Sequence, residues 1–284
     1  MKKKKILAFI IGIFLLCSAV EYVEFLFIET DKTILSENVI CKLFAIIMIL
    51  LVMWRLGWKW RDLGFCQKGL IQSAVLGICL GASTFFLSYL AEYLLLLSMG
   101  KAPQIQFFIT NFAVKNQNIT GASFMAAFIC VIGNILNVWA EEGLFRGILF
   151  RIGTRAFTEK QSNLLQAFLF GIWHIVIVVV WIKDGSISIP LAAVMAVGYV
   201  ILAGILAYEW GLCLLLTGTV WAGVFEHFFN NFITNSLHMV TESGIDELQI
   251  LRIVLSNALS LAFVITIFHI KKRKEHNVQD KDTF

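Results

Sequence analysis

Charge is what this sequence has least of. Asp, Glu, Lys and Arg make up 15% of 284 residues against 59% apolar ones, and the mean hydropathy is +0.82. A water-soluble domain is roughly a quarter charged, so that class is excluded and lipid is the expected solvent. Proline is scarce too: Pro103 and Pro190 are the only two, which permits long uninterrupted helices. No stretch alternates apolar and polar residues with a period of two, so nothing suggests a membrane barrel. The six cysteines (Cys17, Cys41, Cys66, Cys79, Cys130 and Cys213) contain no CxxC pair, and all but Cys66 lie in apolar runs. They read as small hydrophobes, not as a disulfide or zinc framework. HExxH, a Gly-rich phosphate loop, an internal repeat and a soluble domain are also missing. The net charge of +4 is modest and sits at the termini and in loops. Basic residues flanking membrane segments explain it, and no nucleic-acid surface is expected.

What is present is a series of eight apolar segments: 6–28, 39–54, 70–98, 120–140, 163–181, 187–208, 212–234 and 248–270. Each is near the ~20 residues of a bilayer-spanning helix. The expected fold is all-α: a polytopic membrane protein of eight helices around a polar intramembrane cavity. The basic start, Met1 to Lys5, leads into an apolar stretch too long for a signal peptide and without a small-residue cleavage site, so it reads as a retained first helix. The second segment is short and carries Lys42 near its outer end. Arg55, Lys59, Arg61, Lys68, Arg146, Arg151, Arg155 and Lys160 fall on the side of Lys2–Lys5 and Lys271–Lys274. Acids such as Glu29, Asp31, Glu242, Asp246 and Glu247 fall on the other. By the positive-inside rule both termini are cytoplasmic. Residues 1–270 form one integral-membrane domain and 271–284 a polar cytoplasmic tail, expected to be disordered. The Trp- and Arg-rich stretch from Trp54 to Phe65 is expected at the cytoplasmic interface. Asn118-Ile119-Thr120 matches a glycosylation sequon of a kind that often arises by chance.

Chemistry concentrates at three places. Glu141 and Glu142 close the fourth segment, where acids are costly to place and are functional candidates by default. Glu142 and Arg146 are four apart and share a helix face, so they form a structural ion pair. Glu141 is turned about 100° away, with Asn134 on its face and Asn137 nearby. Partly desolvated there, it suits a general base. His174, in Phe170-Gly171-Ile172-Trp173-His174, lies midway along the fifth segment. His227 and Asn231 are four apart in the seventh and point the same way. An Asn can donate to a developing oxyanion; a His can do likewise or bind a metal. Asn230 is offset from them. For Glu141 and His227 to meet, the fourth helix must continue past Glu142, to about Phe150. Each feature also has a plainer reading: Glu142–Arg146 as a helix-end ion pair, each histidine as an interhelical hydrogen-bonder. Glu21, Glu24 and Glu92 either line a cavity or pair locally; Glu226 is a weak candidate, and His238, His269 and His276 receive no role. The combination on three separate segments favours function.

Together the three motifs (EExxxR at 141–146, FxxxH at 170–174, HxxxN at 227–231) resemble the CAAX protease and bacteriocin-processing family, also called Abi or CPBP. The resemblance covers roughly 134–231. It implies an eight-helix core whose cavity opens to the cytoplasm, with Glu141 and His174 activating water and His227 and Asn231 stabilising the oxyanion. It further implies an intramembrane endopeptidase acting on a prenylated CAAX tail or a peptide or bacteriocin precursor, with Glu142 and Arg146 fixing the local helix geometry. Two histidines and a carboxylate are also a zinc-ligand set, so a metalloprotease with a divalent metal stays open beside glutamate-activated water. The alternatives are a non-catalytic membrane partner, such as an immunity or transporter-partner protein, and a proton-relay transporter. The expected partners are membrane lipid and a peptide or lipidated-protein substrate.

Overall fold

The computed structural model describes residues 3–33, 37–110, 119–121 and 124–281; Asn118 of the sequon lies outside them. The chain builds α1 (Lys3–Val23), α2 (Val39–Leu56), α3 (Leu70–Ser98), α4 (Phe124–Glu142), α5 (Phe150–Gly153), α6 (Glu159–Trp173), α7 (Ile175–Lys183), α8 (Ile189–Thr217), α9 (Trp221–Ser236) and α10 (Gln249–Lys281). Local signals set several ends. Thr158 and Gln161 exchange side-chain and backbone hydrogen bonds as a capping box that opens α6. Pro190 sits in the first turn of α8, where a missing N–H costs nothing. Gly218, at φ +74°, ends α8 in the left-handed conformation.

Among the described residues, seven helical stretches are long and apolar enough to cross a membrane: Lys3–Ile28, Val39–Leu56, Leu70–Ser98, Phe124–Gly153, Glu159–Lys183, Ile189–Thr217 and Gln249–Arg273. Their outer faces present residues such as Phe27, Ile71, Phe86 and Phe124, each more than two-thirds exposed. That is the surface lipid solvates, and the protein is an integral membrane protein. The expected eighth span is α9, which at 16 residues falls short of that measure. The boundary before it also differs from the expected one: residues 212–217 belong to α8, which runs on through Glu209 and Gly211 and ends at Gly218 in the left-handed conformation. The tail differs as well. Helix α10 continues to Lys281, since Lys, Glu and Gln are good helix formers and prolong an existing helix. The fold is all-α as expected, with two short strand pairs beside the helices. Strand β1 (Gln104–Phe107) pairs antiparallel with β4 (Leu237–Val240), and β2 (Ile109–Thr110) with β3 (Ile119–Gly121).

Helix α9 lies against α3, α4 and α8. A Cβ on Gly77 of α3 would stand 2.3 Å from the Ala222 carbonyl oxygen, so the two backbones touch through that glycine. The core is aromatic around the extension of α4: Phe145, Phe170, Trp173 and Trp210 are almost fully buried. Part of the Trp-rich 54–65 stretch packs inward. Trp54 is 81% exposed, but Trp60 and Phe65 pack with Trp139, and Phe65 also with Trp221.

Candidate active site

Glu141 and Glu142 are the last residues of α4, but the helix does not stop there. The backbone widens into a π-helical turn, Gly143–Leu149, and resumes as α5. This is the continuation that a meeting of Glu141 and His227 requires, and it sets the acids inside the bundle. Such π turns are rare and gather at functional sites. Arg146, on the turn, donates from Nη2 to Glu142 Oε1 at 2.6 Å, and both side chains are fully buried. The guanidinium carbon lies 4.7 Å from the Phe170 ring centre and 4.8 Å from that of Trp210.

Glu142 Oε1 accepts a second hydrogen bond, from His227 Nδ1 at 3.0 Å. With that proton assigned to Nδ1, His227 Nε2 is aimed at Glu141 Oε2, 3.6 Å away. The His227 ring stacks on Trp210, with centroids 4.0 Å apart, and the Trp210 indole donates to Glu226. Gly223, one turn before His227, lets α9 come this near: a Cβ there would stand 3.1 Å from Trp210 Cβ and 3.3 Å from Glu142 Oε2. The other oxygen of Glu141, Oε1, is held by Lys42 Nζ at 2.7 Å, with both side chains 5% exposed.

His174 occupies the break between α6 and α7, as the last-turn cap of one and the start of the other. Its Nδ1 donates to the Phe170 carbonyl at 2.9 Å, which leaves the Nε2 lone pair for another group. The imidazole is half-buried and near enough to Glu141, Lys42 and His227 for their charges to interact. Irregular backbone at membrane depth is tolerated where protein surrounds it. Asn231 follows His227 by one turn and is half-buried; among the described residues its side chain makes no hydrogen bond. Asn230 is turned away, donating to Asn257 Oδ1 at 3.0 Å. Asn134 bonds back to the Cys130 carbonyl of its own helix, so the expected polar stripe on α4 is only partly directed at Glu141.

The remaining acids have local duties. Glu24 caps the start of α2 through Ile40 N and Cys41 N. Glu92 pairs with Arg252. Glu226 and Glu209 share the Ser260 hydroxyl. His238 is buried between Asp246 and the Phe108 carbonyl. Glu21 is buried near Lys42, and its Oε2 has no hydrogen-bond partner among the described residues. Reasoning from the motifs missed Lys42, Trp210 and Gln166, whose Oε1 accepts from Arg146 Nη1 at 3.5 Å. Only Lys42 left a signal: one cation within an otherwise uncharged apolar run.

A zinc centre does not fit these residues. Among the described residues, no three His, Cys, Asp or Glu side chains come together as a ligand set. The Lys42 ammonium already balances the charge of Glu141 through Oε1.

Residues 123–233 match the model of the family described as Type II CAAX prenyl endopeptidase Rce1-like. This segment resembles that family. It runs from the start of α4 into α9 and contains Glu141, Glu142, His174, His227 and Asn231, and it is the kind of family that the three motifs resemble. No curated protein and no solved structure matches the chain. Lys42 lies outside this segment, on α2.

Proposed function

We propose that the protein is an intramembrane endopeptidase that hydrolyses a peptide bond in a membrane-associated substrate, a prenylated CAAX tail or a peptide precursor. The supporting observation is the facing pair Glu141 Oε2 and His227 Nε2, at 3.6 Å. That separation is too long for a direct hydrogen bond and short enough for one water to touch both. In the proposed reaction Glu141 Oε2 takes a proton from that water while its oxygen adds to the scissile carbonyl carbon. His174 Nε2 orients the water. Asn231 Nδ2 donates to the oxyanion, with His227 beside it. Collapse of the tetrahedral intermediate breaks the C–N bond, and the proton held by Glu141 passes to the leaving amine. Glu142 and Arg146 hold the π turn and the His227 ring in place. Water must enter through a polar cavity, which we place on the cytoplasmic side with both termini.

The test is purified protein in detergent with farnesylated CAAX peptides and candidate leader peptides. Wild type is expected to cleave at least one of them, and Glu141→Ala to lose roughly 1,000-fold in turnover. A chelator is expected to leave the rate unchanged. Undiminished cleavage by Glu141→Ala would sink the mechanism, and loss to chelator restored by Zn²⁺ would replace glutamate-activated water with a metal. A non-catalytic partner protein would cleave nothing and would keep its cellular function in Glu141→Gln.

A further inference from the structure

Lys42 is the residue in the site that the motifs and the proposed chemistry leave without a task. It enters from the first turn of α2, an element outside the Rce1-like segment. Its Nζ lies 2.7 Å from Glu141 Oε1 and 5.7 Å from the centre of the Trp173 ring, beside His174. A lysine buried in this way needs a reason, because desolvating an ammonium is expensive unless it is paired.

The two acids of the motif divide their cations. Glu142 takes Arg146, four residues along the same helix. Glu141 takes Lys42, 99 residues away in sequence. The division also separates the two oxygens of Glu141. Oε1 is committed to Lys42, whereas Oε2 faces His227 Nε2. A carboxylate swings freely about its last torsion, and a single strong contact to one oxygen stops that rotation.

We propose, resting on the endopeptidase reading, that Lys42 is a positioning residue. Its ammonium locks Glu141 so that Oε2 alone meets the water, and keeps that carboxylate ionised away from bulk solvent. Lys42 touches neither water nor substrate; it acts through Glu141. The other titratable groups facing this pair are Glu21 from α1, Glu37 and Cys41 at the start of α2, His174 from the α6–α7 break and His227 from α9. None of them supplies a second fixed cation at Glu141 Oε1. Arg146 is bound to Glu142, and Lys183 to Glu29.

The test uses the full chain in detergent and compares wild type, Lys42→Met, Lys42→Arg, Glu141→Gln and the double variant Lys42→Met/Glu141→Gln. Lys42→Met is expected to lower kcat about 100-fold with KM changed less than about 3-fold. Lys42→Arg is expected to recover most of that loss. In the Glu141→Gln background, Lys42→Met should cost nothing further, because the group it acts through is gone. A purely structural lysine would instead lower activity in parallel with folded yield, and by the same factor in both backgrounds. A Lys42→Met enzyme with unchanged kcat, or one equally harmful without Glu141, overturns the proposal.

A second measurement needs no turnover, so the proposal and the endopeptidase reading can fail separately. Isotope-edited infrared spectra of Glu141 are expected to show the carboxylate band in wild type and Lys42→Arg, and the carboxylic-acid band in Lys42→Met. Wild type with the spectral change but no peptide cleavage would refute the protease reading and keep the ion lock. A carboxylate band unchanged in Lys42→Met refutes the ion lock whatever the activity.

Discussion

At the scale of single residues, Glu142 holds more together than any other side chain in the site. One oxygen accepts from both Arg146 and His227. The local half of that arrangement was legible from spacing, because residues four apart on a helix meet whatever the rest of the chain does. The other half was not, because His227 is 85 residues away and its approach depends on Gly223 and on how α9 packs. Glu142→Gln leaves the buried Arg146 without its countercharge, and stranding one partner of a buried pair costs about 3–5 kcal/mol. We expect a lower melting temperature and lower turnover. The double change Glu142→Gln/Arg146→Met should restore much of the stability and little of the activity, since His227 still lacks its carboxylate. Thermal unfolding and peptide cleavage on the same samples check this; equal recovery of both would mean that Glu142 serves the fold alone.

Among the elements, the irregular ones carry the site. The π turn after Glu142 and the break at His174 both depart from helices that periodicity alone describes as continuous. Hydrophobic pattern reports which face is apolar and is silent on a one-residue change of helical pitch. Another element lay beyond pattern: the β1–β4 pair and the cluster beneath it, where Asp246 receives Arg252 Nη2 at 2.5 Å and His238 Nδ1 at 3.2 Å. Burial by itself would raise the Asp246 carboxyl, but these hydrogen bonds outweigh it and hold the group below the ordinary carboxylate range. A depressed carboxyl stabilises the fold above its unfolded value, near pH ~4, and that stability is lost as pH falls through the lower folded value. Asp246→Asn is therefore expected to melt earlier than wild type at neutral pH, with the gap closing as the buffer is taken toward about pH 3. Melting curves across that range decide it, and a gap independent of pH would show that the Asp246 charge is not what stabilises this cluster.

For the whole molecule the question is how many times the chain crosses. Seven stretches among the described residues qualify by length and apolarity, and α9, at 16 residues, spans about 24 Å at 1.5 Å per residue against a hydrocarbon core of ~30 Å. Enclosed by α3, α4 and α8, it does not have to match the lipid thickness, so its brevity and its polar His227, Asn230 and Asn231 are tolerated. We propose that it crosses as the eighth span. The basic loops then share one side with both termini. Cleavable tags at the two ends, probed in sealed vesicles of one orientation, are expected to be cut from the same side. Tags cut from opposite sides would mean that an odd number of spans is correct.

Composition and sequence pattern by themselves determined the lipid-solvated helical class, most of the helices and the residues of the three motifs, because hydrophobic length and i,i+4 spacing are local quantities. The tertiary structure decided what those residues face. The Lys42–Glu141 pair, the His227–Glu142 bond and the Trp210–His227 stack each join different helices. Such contacts exist only once helices have packed to a definite depth and rotation, and no local pattern encodes either.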